Sequence, residues 1–195
     1  MVAVQQERDG RTRILSTARI LFATNGFHQT SMAQLASAAQ VSVGQIYRLF
    51  KGKEDIIEAL VQADSNAWTT EMIALRTRLD AGELSIEQTF AQMLLHTANE
   101  KDEALSFDIM AEAFRNEAVG RTIGELCAGF RTFLRDFACV ANPDLSGEAL
   151  DAAEELLLAC MFGLGHRSLS RPKLSAECAA ERAAQMIVAG LKAVR

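Results

Sequence analysis

The stretch from Thr30 to Phe50, TSMAQLASAAQVSVGQIYRLF, constrains the fold of this 195-residue chain more than any other. Its apolar residues fall at helical spacing in two short groups, each opened by a serine with a glutamine three residues later: Ser31 with Gln34, and Ser42 with Gln45. A serine hydroxyl at a helix start accepts from an otherwise unpaired backbone amide, and the glutamine side chain reaches back to the serine amide. Both pairs therefore read as capping boxes. Leu35, Ala39, Val41, Ile46 and Leu49 supply the seam between the two helices, and the small Ala36 suits their crossing point. Gln40, Val41 and Ser42 have the length of the tight turn in a helix-turn-helix.

The second helix turns Val43, Gly44, Gln45, Tyr47 and Arg48 outward, with Lys51 just beyond it. A helix of this size fits the major groove of DNA, where its N-terminal residues meet base edges. A hairpin buried in a core would have little use for that polar set, so a DNA-entering role is expected.

The segment from about Arg11 to Val61 resembles the DNA-binding domain of the TetR family of bacterial regulators. The resemblance rests on a spaced set of residues: RILSTARILFATNGFHQTSM with its helix ending at Gly26, then LASAAQVSVGQIYRLF, then KGKEDIIEAL. Phe27, Thr30 and Ser31, Val41 and Ser42, Gly44, Tyr47, Phe50 and Lys53 all stand where that family has them. Two positions depart from its pattern. Gln40 occupies the turn where glycine is usual, and a non-glycine residue with positive φ costs about 1–2 kcal/mol there. Gln45 replaces the usual small hydroxyl residue or alanine. The rest of the chain matches the family only in helical character and length.

Composition agrees with an all-α fold. Hydrophobic residues make up 49% of the chain, and its two prolines, Pro143 and Pro172, both stand between helical patterns. The expected organisation is a three-helix DNA-binding domain over residues 9–56 and a helical effector-binding and dimerisation domain over 57–195. Charge divides the same way. Through Ile56 there are seven basic and four acidic residues, and beyond it 13 basic and 21 acidic ones. Phosphates would draw the head and repel the body. The N-terminus has no apolar leader, and the longest uncharged apolar run, Leu156 to Gly165, is about half of the roughly 20 residues that a membrane span needs. A cytoplasmic location is expected. Cys127, Cys139, Cys160 and Cys178 show no metal-ligand spacing, so no metal and no cofactor are expected, and each thiol reads as a reduced core residue. A redox-sensing pair is the sharper alternative.

In the body, a long amphipathic helix is expected from Lys53 to about Leu79, with Ile57, Leu60, Val61, Trp68, Met72, Leu75 and Leu79 on one face. Asp64 falls on that face, either as a solvated edge position or as a polar group reaching a ligand. Gly82 ends the helix, and Ser85 with Gln88 caps the next. Further helices are expected near Asp102 and from about Glu117 to Val140, and Glu112–Asn116 resembles the helix-to-helix junction of many regulators of the TetR family and reads as structural. The phenylalanines and methionines of these helices suit flat or greasy ligands. With the resemblance, they imply a hydrophobic effector site built from Trp68, Met72, Phe90, Met93 and His96, with Phe107, Met110, Phe114, Phe130 and Phe133. The alternative is that they merely make the core.

Leu156–Gly165 and Ala183–Leu191 hold no charge on any side, so one face would pack on its own subunit and the other on a second copy. Leu157, Cys160, Met161, Leu164, Ala183, Met186, Ile187 and Gly190 are the expected contacts of a four-helix homodimer interface.

Such a dimer would hold two reading helices about 34–36 Å apart on a palindromic DNA operator. Thr30, Ser31, Tyr47 and Lys53 are expected on phosphates. Ser42, Val43 and Gln45, matched residue by residue to the family, face the groove, with Arg48 beside them. Gln45 can pair with adenine, although its role as partner of Ser42 competes. The resemblance implies a repressor, released when an apolar small molecule binds the body. Two alternatives from other classes are a helical adaptor that binds a protein partner and an enzyme. The enzyme has little support: His28, His96 and His166 lie far apart with no nucleophile or phosphate loop beside them.

Overall fold

The computed structural model describes residues 2–99 and 102–194, and no strand occurs among them. The helices are α1 (Val2–Asn25), α2 (Met32–Ala38), α3 (Val43–Leu49), α4 (Lys53–Asp80), α5 (Ile86–Ala98), α6 (Glu103–Ala113), α7 (Glu117–Ala141), α8 (Gly147–Gly165) and α9 (Ala176–Ala193), with a 3₁₀ turn at Arg167–Ser170. The fold is all-α, with an N-terminal three-helix helix-turn-helix.

The chain forms two compact units. The first holds residues 1–65 and 102–126, the second 66–101 and 127–195. The division falls inside α4 and inside α7. The first unit is thus larger than the 9–56 segment, because α6 and the start of α7 share its core. Ile14, Ala18, Phe22, Phe27, Leu35, Ile46, Ile56, Ile57 and Leu60 pack there with Leu105, Ile109 and Val119.

Helix ends follow from local chemistry. Ser31 and Ser85 form complete capping boxes with Gln34 and Gln88. Glu54 and Asp55 occupy the first turn of α4, where the helix dipole favours negative charge. At its other end Gly82, at φ +73°, donates to the Leu79 carbonyl while Glu83 donates to that of Arg78, a Schellman closure. The same closure ends α2. Val41 donates to the Ala36 carbonyl and Gln40 to that of Ser37, and Gln40 takes the left-handed conformation at φ +54°. In the junction between α6 and α7, the Glu112 carbonyl accepts from Arg115 and Asn116, and Asn116 Oδ1 then caps the first amides of α7.

In the second unit α5 packs against α9 and α8. Its core joins Met72, Leu75, Phe90, Met93 and Leu94 to Leu134, Phe137, Leu157, Met161, Ala184, Ile187 and Leu191.

Candidate nucleic-acid interface

Helix α3 is seated by fully buried Ile46 on Leu35 and Ala36 of α2, and by buried Phe50 at its end. Ser42 is its N-cap, with Oγ accepting the Gln45 amide at 3.1 Å. On the outer side Val43 and Tyr47 are about half exposed, at 51% and 52%, and Ser42, Gly44 and Arg48 are exposed as well. Such a strip offers a hydroxyl, a phenol, a guanidinium and a short apolar contact, a set suited to phosphates and base edges. Gln45 departs from expectation. Its carboxamide does not return to the Ser42 amide, so the second capping box is only half formed. The side chain lies back towards Gly10 of α1 and is half buried.

Two of the expected phosphate contacts are engaged elsewhere. Thr30 is 1% exposed, and its hydroxyl lies 3.0 Å from the Gly26 carbonyl, closing the loop after α1. In that position it cannot reach a phosphate. Lys53 Nζ donates to the carbonyls of Phe27 and His28 at 2.7 and 3.1 Å and sits 4.6 Å from the centre of the Phe27 ring. The ammonium braces the same loop, whose Phe27 amide is held at 2.9 Å by Asp108 of α6. Ser31 is exposed at the start of α2 and accepts the Gln34 amide, which leaves its hydroxyl proton for an anion. Sequence patterning missed this brace because its members lie up to 81 positions apart.

Behind the interface, Arg19 of α1 bonds Asp64 of α4 at 2.5 Å and Asp102 at the start of α6 at 3.0 Å. Burial works against the Arg19 charge, but these two carboxylates hold its pKa above the ordinary value. Asp64 is thus an ion-pair partner. A recess of about 140 Å³ lies nearby between α4 and α7, lined by Val61, Gln62, Ser65, Thr122, Glu125 and Leu126. None of the expected effector residues lines it.

The structure brings together part of the expected effector set. In the second unit the Trp68 ring lies 4.0 Å from that of Phe130 and 5.6 Å from that of Phe133, centre to centre. Trp68 Nε1 is buried there without a hydrogen-bond partner. Met72, Phe90 and Met93 are fully buried in the same core, while His96 is exposed on α5. Phe107, Met110 and Phe114 belong to the first unit, and Phe114 is 95% exposed.

The apolar helices α8 and α9 each bury one stripe and expose another. Leu157, Met161 and Ile187 face inward and are core residues of their own unit, which corrects their assignment to an outer face. Cys160, Leu164 and Ala183 are intermediate, and Gly190 is exposed. Leu156 at 60%, Phe162 at 43% and Met186 at 75% form the exposed apolar side. Burial pushes the Cys127 and Cys160 thiols up, away from the thiolate that redox chemistry uses. Among the described residues no helix is long and apolar enough to cross a membrane.

Residues 14–60 match the family model described as bacterial regulatory proteins, tetR family. The HTH-type transcriptional regulator UidR of Escherichia coli K12 is 32% identical over 111 residues, covering 56% of this chain and 54% of UidR. The match therefore spans about half the length of that curated relative. Among solved structures, Salmonella enterica GusR superposes with a TM-score of 0.69 at 24% identity over 95% of this chain and 96% of its own. The regulator FadR from Bacillus subtilis, in complex with stearoyl-CoA, superposes with a TM-score of 0.73 at 20% identity over 92% and 98%. At those identities the superpositions establish the fold.

Proposed function

Through residues 14–60 this chain belongs to the tetR family of bacterial regulatory proteins, and on that premise we propose that it is a ligand-responsive transcriptional regulator. In this reading it is a cytoplasmic repressor that binds a palindromic operator as a homodimer and is released by an apolar small molecule. The observation that carries the reading is the strip of exposed Ser42, Val43, Tyr47 and Arg48 on a helix whose opposite side is locked into the core by Ile46. Ser31 and Tyr47 bind phosphates, and α3 reads bases. The exposed apolar stripe of α8 and α9 supports pairing with a second copy.

The aromatic group at Trp68, with its unpartnered indole N–H, supports an effector site in the second unit. The stearoyl-CoA held by the B. subtilis neighbour is an apolar-tailed example from the same fold. Helix α4 is the element that can couple the two activities. It begins at Lys53 on the loop brace, contributes Ile57 to the first core and contributes Met72 to the second. A ligand changes DNA affinity only as far as it binds one arrangement of that helix better than the other.

The test is binding of the full chain to fragments flanking its own coding region and to duplexes selected from random sequence, at several salt concentrations. Tight binding to a palindrome, weakening steeply with salt, is expected. Tyr47→Ala should lose roughly tenfold in affinity, as for one charge-assisted contact. Absence of binding at low salt would overturn the regulator reading and favour the protein-binding adaptor.

A further inference from the structure

Gln45 is the residue on α3 best suited to pair with a base, yet it is the one held back. Its neighbours Val43, Gly44, Tyr47 and Arg48 are exposed while it is half buried. A Cβ built on Gly10 of α1 would lie 2.8 Å from Gln45 Nε2, 3.8 Å from its Cδ and 4.0 Å from Leu49 Cδ1. Side-chain carbons do not approach a neighbouring nitrogen that closely, so the carboxamide rests where it does because residue 10 has no side chain. Backbone geometry does not ask for this glycine. Gly10 lies inside α1 and is not among the residues with positive φ. Glycine also weakens a helix interior relative to alanine. The Leu49 contact is ordinary, so an added methyl group would displace only the flexible end of Gln45.

We infer that Gly10 is a positioning residue for DNA specificity that acts through Gln45. Its bare Cα lets α1 hold the Gln45 carboxamide away from the groove, and any side chain at position 10 drives the carboxamide outward towards the bases. The inference rests on the reading of α3 as the helix that enters DNA. It makes the α1 surface part of the specificity apparatus although it touches no base.

The test compares the full-length wild type, Gly10→Ala, Gln45→Ala and the double variant by selection from a library of randomised DNA duplexes, with thermal melting of each protein alongside. Gln45→Ala alone is expected to change base preference little, because the wild-type carboxamide is held back from the groove. Gly10→Ala is expected to raise the preference for adenine at one base pair of each half-site about fivefold, the lower end of what one bidentate contact discriminates. That gain should vanish when residue 45 is alanine. A structural role for Gly10 alone would weaken all sequences alike, and that result would overturn the inference. So would an unchanged or reduced adenine preference in Gly10→Ala, or a gain that persists without Gln45. If Gln45→Ala flattens a position and Gly10→Ala does nothing, only the role of Gly10 falls. If none of the four proteins, wild type included, selects a preferred duplex, the reading of α3 falls and this inference goes with it.

Discussion

Gln40 holds the left-handed conformation that closes α2. A side chain there costs about 1–2 kcal/mol, whereas glycine avoids the clash but gives up some of the gain through the freedom of its unfolded chain. Gln40→Gly should therefore stabilise the protein by about 1 kcal/mol, raising Tm by roughly 2–4 °C for a chain of this size. A fall in Tm would show that the Gln40 side chain contributes something the turn geometry does not explain. Thr30 and Ser31 are sequence neighbours with different work. Thr30→Val leaves the Gly26 carbonyl short of a buried donor, which should cost about 1–3 kcal/mol of stability. DNA affinity should stay unchanged. Ser31→Ala removes a cap worth about 1 kcal/mol and, in the proposed reading, a neutral hydroxyl donor to a phosphate, so affinity should fall about equally for all sequences while the slope of log affinity against log salt, which counts Lys and Arg contacts, stays unchanged. Chemical denaturation and DNA titration of both variants separate these outcomes.

Between α7 and α8 the decisive contact is electrostatic. Glu154 of α8 is buried and is bonded by Arg131 and, at 2.8 Å, by Arg135, both on α7. The hydrogen bonds from Arg135 and Arg131 hold its pKa below the ordinary 4.5. Folding thus favours the charged carboxylate. That stabilisation is full above about pH 4.5, and it is lost as pH falls through the depressed value of the folded state. Glu154→Gln should lower Tm at pH 7, and the gap from wild type should close as the pH drops below 4.5. A gap constant across that range would mean the charge of Glu154 is not what binds α8 to α7. Helix ends were legible in sequence because their signals are local: Ser31 and Ser85 cap, and Gly26 and Gly82 terminate. The inward stripes of α8 and α9 were not, since both flanks are apolar and no charge marks the register of Leu157 or Ile187. Nor were the duties of Lys53 and Gln45, whose partners lie 25 or more positions earlier, or that of Thr30, whose burial depends on how the loop after α1 folds. Gln45 in particular looked like a cap because Gly10, 35 positions earlier, leaves no trace in the local pattern.

In the proposed repressor the acidic body and basic head would orient the molecule on DNA, and a single copy would occupy only one half-site. Two copies on one palindrome would bind with the second contact made effectively intramolecular, which would raise affinity by roughly 10²–10⁴ over one head alone. The stripe that would join them carries Leu156, Phe162 and Met186, each large, apolar and substantially exposed. Burying such side chains against a second copy yields about 1.5–3 kcal/mol apiece. Met186 is the cleanest place to test this, because at 75% exposure it contributes little to the core of its own unit. Met186→Arg should leave the helical content and the melting of the isolated unit intact while placing two charges in the paired interface. Sedimentation should then report monomer at concentrations where the wild type is dimeric, and operator affinity should drop by about a hundredfold or more. A variant that stays dimeric would move the interface to another face of the molecule. Loss of dimer without loss of operator affinity would instead break the link between pairing and DNA binding.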